Sequence, residues 1–226
     1  MERPPLIFDL DGTLFDAEKL AFASFKQLTE EMVEKGFYPK REWTSEMYRH
    51  VIGMTFPELF RYLFPGANQQ AFHQAESLLE EIEQDFLQEK QAGNLFRDVT
   101  ETLMLLKEQG HALYIASNGG AMYVPTVLRV REIYHLFDGV YCCGLHKTSC
   151  KEELVELLLK EHNLSSETIM IGDRTSDITA GKFNHLRTIG CLYGFGGEAE
   201  LQEADVFISE FSELPHTIQT LTNMKE

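Results

Sequence analysis

Three apolar runs in this chain each stop abruptly in a polar cluster. Leu6-Ile7-Phe8 runs into Asp9-Leu10-Asp11-Gly12-Thr13, Ile115-Ala116 into Ser117-Asn118-Gly119-Gly120, and Ile169-Met170-Ile171-Gly172 into Asp173-Arg174, with Asp177 one helical turn on. Short apolar runs bounded by turn residues and alternating with helical segments are the pattern of a parallel sheet covered by helices. Residues 5–9, 112–116, 137–143, 168–172 and 205–208 read as strands, and 187–191 is a further candidate. Between them, Lys151–His162 carries Leu154, Leu157 and Leu158 at helical spacing, and Asp98–Gln109 carries Leu103 and Leu106 before the stop at Gly110.

Residues 16 to 94 lack strand-like runs. Ala17–Lys35 reads as a helix stopped by Gly36, and Gln70–Lys90 as a long amphipathic one with Phe72, Ala75, Leu78, Leu79, Ile82 and Phe86 on one stripe. Pro39, Gly53, Pro57 and Pro65-Gly66 punctuate shorter helices between them. One strand is thus separated from the others by an all-helical block. The economical reading is an α/β fold, a Rossmann-like parallel sheet with helices on both faces, with a helical cap inserted after the first strand. Residues 1–15 and 95–226 form the core of that reading, and residues 16–94 form the cap.

Thirty-six acidic against twenty basic residues give the 226-residue chain a formal charge of −16. That charge repels phosphate backbones and anionic lipid, so neither nucleic acid nor a membrane surface is an expected partner. No long apolar stretch follows Met1-Glu2-Arg3-Pro4-Pro5, and the expected location is cytoplasmic. Cys142, Cys143, Cys150 and Cys191 lack a paired C-x-x-C spacing and read as small structural residues. Nothing in the sequence sets an oligomeric state.

In an open parallel sheet the carboxyl ends of the strands share one edge, where ligands bind. Asp9, Asp11, Asp173 and Asp177 would converge there, at a heavy cost in repulsion and desolvation unless a cation sits among them. Hard oxygen donors with room for water select Mg²⁺. Gly12-Thr13 and Asn118-Gly119-Gly120 can turn backbone N–H groups inward as an anion nest. A hydroxyl comes from Thr13 or Ser117, and a cation from Lys151, with Lys147 as its rival. The combination reads as a site for phosphate. With that charge offset, one carboxylate can attack phosphorus and another, two residues on, can protonate the leaving oxygen, the spacing of Asp9 and Asp11. Plainer roles exist for several of these residues: Ser117-Asn118 as a loop or helix cap, Lys151 as a surface lysine, and Asp177 as a charge favoured by a helix dipole. Asp16, past the turn, reads as a local anchor.

Together these elements resemble the haloacid dehalogenase superfamily of hydrolases, in its phosphatase branch with a helical cap after the first motif. Asp9-Leu10-Asp11-Gly12-Thr13-Leu14 matches D-x-D-G-T-L in full. Ser117-Asn118 looks like the second motif, Lys151 the third, and Gly172-Asp173-Arg174-Thr175-Ser176-Asp177 the fourth, G-D-x-x-x-D. Leu192-Tyr193-Gly194-Phe195-Gly196 is similar to the glycine-bearing segment of the phosphoglycolate phosphatase group. The resemblance implies an Asp9 nucleophile that forms an aspartyl-phosphate, and Asp11 as acid and then base. It implies that Asp9, the Asp11 carbonyl and Asp173 hold Mg²⁺ with support from Asp177, and that Thr13, Ser117, Asn118 and Lys151 hold the phosphoryl oxygens. A dehalogenase would not need Asp11. A β-phosphoglucomutase-like sugar phosphomutase would carry an arginine where Gly53-Met54-Thr55-Phe56 has phenylalanine, and a non-catalytic phosphate-binding module would have lost part of the set. The expected activity is therefore a Mg²⁺-dependent phosphatase of a small phosphorylated metabolite, with phosphoglycolate-like, sugar phosphate, nucleotide and pyrophosphate substrates open.

Overall fold

Leu6, Ile7 and Phe8 are each fully buried, because the strand they form lies inside a parallel sheet with apolar layers on both faces. The computed structural model of the protein describes residues 3–88 and 93–223. In chain order its elements are β1 (Leu6–Phe8), β2 (Phe15–Asp16), α1 (Glu18–Glu34), α2 (Ser45–Val51), α3 (Phe56–Leu63), α4 (Gln69–Gln88), β3 (Asn94–Leu95), α5 (Val99–Glu108), β4 (Leu113–Ser117) and α6 (Tyr123–Val130). They continue as β5 (Gly139–Cys142), α7 (Cys143–His146), α8 (Lys151–Glu161), β6 (Ile169–Gly172), α9 (Thr175–Phe183), β7 (Arg187–Cys191), α10 (Gly197–Glu200), β8 (Val206–Ile208) and α11 (Leu214–Asn223). Two 3₁₀ turns, Tyr134–Leu136 and Phe211–Glu213, complete the set.

The six main strands run parallel in the order β5-β4-β1-β6-β7-β8. The chain builds outward from β1 in one direction through β4 and β5, then crosses back to build in the other from β6. That reversal places the ligand-binding crevice of an open α/β sheet at the carboxyl ends of β1 and β6. Side chains alternate across the sheet. Leu6, Phe8, Leu113, Ile115, Ile169 and Ile171 face α5, α6 and α11, whereas Ile7, Tyr114, Ala116 and Met170 face α8 and α9. Phe8 is level with Ile115 on one side and Ile171 on the other, so the three polar clusters emerge along one edge.

Helices α1 to α4 build a separate apolar cluster around Phe25, Leu28, Leu59, Phe60, Leu78 and Ile82. Pro57 sits in the first turn of α3, where its missing N–H costs nothing. The helix expected over Gln70–Lys90 is α4; its last two residues, Glu89 and Lys90, lie outside the described residues. The reading of residues 16–94 as strand-free needs one correction. β2 and β3 pair antiparallel, Phe15 opposite Leu95 and Asp16 opposite Asn94, so a short ribbon ties the two ends of the helical block together. Two-residue strands are too short to show a period of two. Among the described residues no helix is long and apolar enough to cross a membrane.

Candidate active site

The turn after β1 is wound tightly, with the amides of Leu14 and Phe15 donating to the Leu10 carbonyl at 2.9 Å and Gly12 N–H to Phe15 O at 2.9 Å. Gly12 has φ +89°, and a Cβ there would meet Asp173 Oδ2 at 2.2 Å, so only glycine lets the turn close over that carboxylate. Asp9 continues the ladder to β6 through its amide, which donates to Ile171 O at 2.9 Å.

The carboxylates of Asp9, Asp173 and Asp177 converge, each offering an oxygen within 4.8 Å of the others. Lys151, at the start of α8 and only 2 % exposed, donates to Asp9 Oδ1 at 2.8 Å and to Asp177 Oδ1 at 2.5 Å. Burial alone would lower its ammonium's pKa, but the charges of Asp177 and Asp9 outweigh burial and hold it well above the ordinary lysine range. The other Asp177 oxygen accepts from Arg174 N–H at 2.8 Å, which ties the carboxylate to the first turn of α9. Asp173 accepts from Phe195 N–H at 2.7 Å and from the Thr13 hydroxyl at 3.1 Å. One ammonium contacts two of the three buried carboxylates, and Asp173 has none among the described residues. Burial pushes the Asp9 carboxyl up to about 6, the Asp177 charge adding to it and Lys151 opposing. Burial and the charges of Asp9 and Asp177 drive Asp173 well above the carboxylate range. A cation among three oxygen donors relieves that conflict, and an all-oxygen donor set suits a hard cation; the residues present fit a metal ion.

Asp11 stands apart from this cluster. Its Oδ1 accepts from the Tyr123 hydroxyl at 2.6 Å, inside the core. Burial, opposed by that hydrogen bond and helped by the charge of Asp9, pushes the Asp11 carboxyl up to about 7, the range suited to a group that gives and retakes a proton near neutrality. Nothing in the spacing of Tyr123 announces this role, since the pair is 112 residues apart in the chain.

Asp9 and Asp11 lie at the floor of a cavity of about 830 Å³ between the strand ends and the helical block. Ser117 and Asn118 line it, as do Gly119 and Gly120. The Ser117 hydroxyl accepts from Gly119 N–H at 3.1 Å. Asn118 Nδ2 donates to Gly53 O at 2.9 Å, across to the helical block. Beside it Arg174 Nη1 donates to Ile52 O at 2.6 Å, and its Nε pairs with Glu200 at 2.9 Å. Thr13 is fully buried with its hydroxyl committed to Asp173, away from the cavity lining. Lys147 lines the cavity and is exposed, whereas Lys151 holds the carboxylates. Asp16 Oδ1 accepts from Glu18 N–H at 3.3 Å, beside the ribbon. The four cysteines are free, and none joins a group of metal-ligating side chains among the described residues.

Comparisons with known proteins accord with this geometry. A curated 5'-nucleotidase from Pseudomonas aeruginosa is 29% identical over 205 residues, covering 89% of this chain and 88% of its own. A phosphoglycolate phosphatase from Aliivibrio fischeri is 26% identical over 220 residues, covering 92% and 93%. A solved structure from Clostridium acetobutylicum, described as a predicted phosphatase, superposes with a TM-score of 0.80 over 97% of this chain and all of its own, at 24% identity; it shares the fold. The family model for haloacid dehalogenase-like hydrolases matches residues 6–191, and the chain belongs to that family.

Proposed function

We propose that this hydrolase is a Mg²⁺-dependent phosphatase acting on a small phosphorylated metabolite in the cytoplasm, with residues 16–94 as a cap over its site. The observation that carries the reading is the arrangement at the end of β1. Asp9 is held by Lys151 beside Asp173 and Asp177, and Asp11 is held separately by Tyr123 beneath the same cavity. Four free thiols suit a reducing compartment.

Asp9, Asp173 and Asp177 would hold the ion with the Asp11 carbonyl, and bound there it would offset the charge of the phosphoryl group. An Asp9 oxygen attacks phosphorus as the bond to the ester oxygen breaks, and Asp11 gives its proton to the departing alkoxide. Asp11, now a carboxylate, takes a proton from water; the hydroxide displaces the Asp9 oxygen and phosphate leaves. Asn118, Ser117 and the Gly119-Gly120 amides line the place where phosphoryl oxygens sit. For Asn118 that means exchanging Gly53 O for the substrate, and for the Gly119 amide exchanging the Ser117 hydroxyl. Lys151 keeps Asp9 ionised and aimed. Thr13 contributes by fixing Asp173.

The test is release of inorganic phosphate from a phosphate monoester, with Mg²⁺ and with a chelator. Activity that requires Mg²⁺ and is lost in Asp9→Asn supports the reading. Metal-independent hydrolysis, or isomerisation of a sugar phosphate without phosphate release, overturns it.

A further inference from the structure

The cap turns acid toward the catalytic floor. Glu76, Glu80 and Glu83 follow one another on α4 at helical spacing, and all three line the cavity. Glu76 lies 3.9 Å from His73. Glu80 and Glu83 have no hydrogen-bond or ion-pair partner among the described residues. Glu83 is surrounded by protein yet opens onto the cavity, where it meets the fields of Asp11 and Glu80. Burial first, then those two charges, drive its carboxyl well above the usual range, so negative charge is disfavoured at this place, whether it is Glu83's own or a ligand's. The basic side chains of the lining, Arg61, His73 and Lys147, are all exposed. A cavity of about 830 Å³ is far larger than a phosphoryl group needs, and its remaining space belongs to the leaving group.

Carboxyl groups that lose water when a ligand fills a crevice must recover hydrogen bonds from the ligand, and a crevice whose burial and acidic side chains already disfavour negative charge disfavours an added anion. Resting on the phosphatase reading above, we propose that Glu80 and Glu83 select a leaving group that carries no negative charge and presents hydrogen-bond donors, hydroxyl or ammonium. By the same contacts they discriminate against anionic leaving groups such as glycolate and phosphate. Among the curated relatives, one is named a 5'-nucleotidase, and a nucleoside monophosphate releases a neutral nucleoside; others are named pyrophosphatase or phosphoglycolate phosphatase, and their leaving groups are anions. The α4 carboxylates place this chain with the first kind of chemistry.

The experiment compares kcat/KM of the Mg²⁺-loaded protein for a hexose phosphate, a nucleoside monophosphate and phosphoethanolamine with that for phosphoglycolate and pyrophosphate. The first three separate hydroxyl from ammonium donors. At least one is expected to exceed both anionic substrates tenfold or more. In the double variant Glu80→Gln/Glu83→Gln that ratio is expected to fall at least tenfold. Because the readout is a ratio, a general loss of folded protein leaves it unmoved. Preference for an anionic leaving group, or an unchanged ratio in the double variant, overturns the proposal. Should no ester turn over, the catalytic reading fails by itself. Calorimetric titration of the same five compounds into the Mg²⁺-loaded protein and its double variant then decides recognition by the same ordering of Kd, and no ordering overturns it.

Discussion

Tyr123 and Asp11 form the contact on which proton transfer in the proposed mechanism depends. An acid two residues from the nucleophile has two tasks, and a side chain free to rotate performs neither well. The 2.6 Å hydrogen bond from Tyr123 fixes one Asp11 oxygen and leaves the carboxyl at the cavity floor. Tyr123→Phe is expected to lower kcat about tenfold to a hundredfold for an alkyl phosphate. The loss should be smaller for an aryl phosphate, whose phenolate leaves with less need of a proton, and KM should move less than kcat. Equal losses for both substrates would make Tyr123 a packing residue only. The placement of Asp9 and Asp11 together at a strand end was legible in the sequence, because Asp9-x-Asp11-Gly12-Thr13 follows an apolar run and its charges needed partners. Tyr123 was not. It reaches the site from α6, across a Gly-Gly turn, and a tyrosine in an apolar helix carries no signal of what its hydroxyl meets. Thr13 shows the complementary limit. Its hydroxyl was legible as a polar group at the site, but only the packing shows that it is spent on Asp173 at 3.1 Å.

At the scale of elements, the strands with unbroken apolar runs could be read with nearly their observed limits, whereas β7 was faint. It begins with Arg187 and carries Gly190, where a Cβ would meet Phe207 at 3.0 Å. What secures it is a clasp that no periodicity reveals. Asp205, just before β8, accepts from the Thr188 amide at 2.7 Å and the Thr188 hydroxyl at 2.9 Å, and Lys182 of α9 pairs with the same carboxylate. Although burial works the other way, the hydrogen bonds from Lys182 and Thr188 hold the Asp205 carboxyl below its usual range. A depressed pKa stabilises the folded protein above the unfolded-state value of about 3.9, and the contribution fades as pH falls through the lower folded value. Asp205→Ala should cost about 1–2 kcal/mol by denaturant unfolding at pH 7, mostly from the stranded Thr188 amide. The gap between variant and parent should narrow below pH 4. A gap that is constant with pH would remove the charge from the explanation. The β2–β3 ribbon was missed for a simpler reason: two residues per strand leave no alternation to see.

For the molecule as a whole, a helical block between the first and second core strands could be inferred from the order of elements, but its seating could not. Seating depends on backbone carbonyls, which the sequence does not display. Ile52 O and Gly53 O, at the end of α2, accept from Arg174 and Asn118 of the core at 2.6 and 2.9 Å. The block is thereby pinned at Asn118, which the proposed mechanism assigns to the phosphoryl group, and at Arg174 beside it. Removing the charged donor with Arg174→Met takes away about 1.5 kcal/mol and should speed amide exchange in residues 51–55 about tenfold. The strands of the core should be unaffected. Unchanged exchange would mean that the apolar contacts of the insertion seat it without the pin.

The proposed mechanism makes an Asp9 oxygen the nucleophile toward phosphorus, and that can be observed on the protein itself. The enzyme is mixed with Mg²⁺ and a phosphate monoester that it hydrolyses, quenched in acid during turnover, digested and weighed by mass spectrometry. The peptide holding Asp9 should gain one phosphoryl group that hydroxylamine removes, and Asp9→Asn should abolish both the adduct and phosphate release. Sustained phosphate release from Asp9→Asn, or a phosphoryl group carried by another residue, would contradict the mechanism.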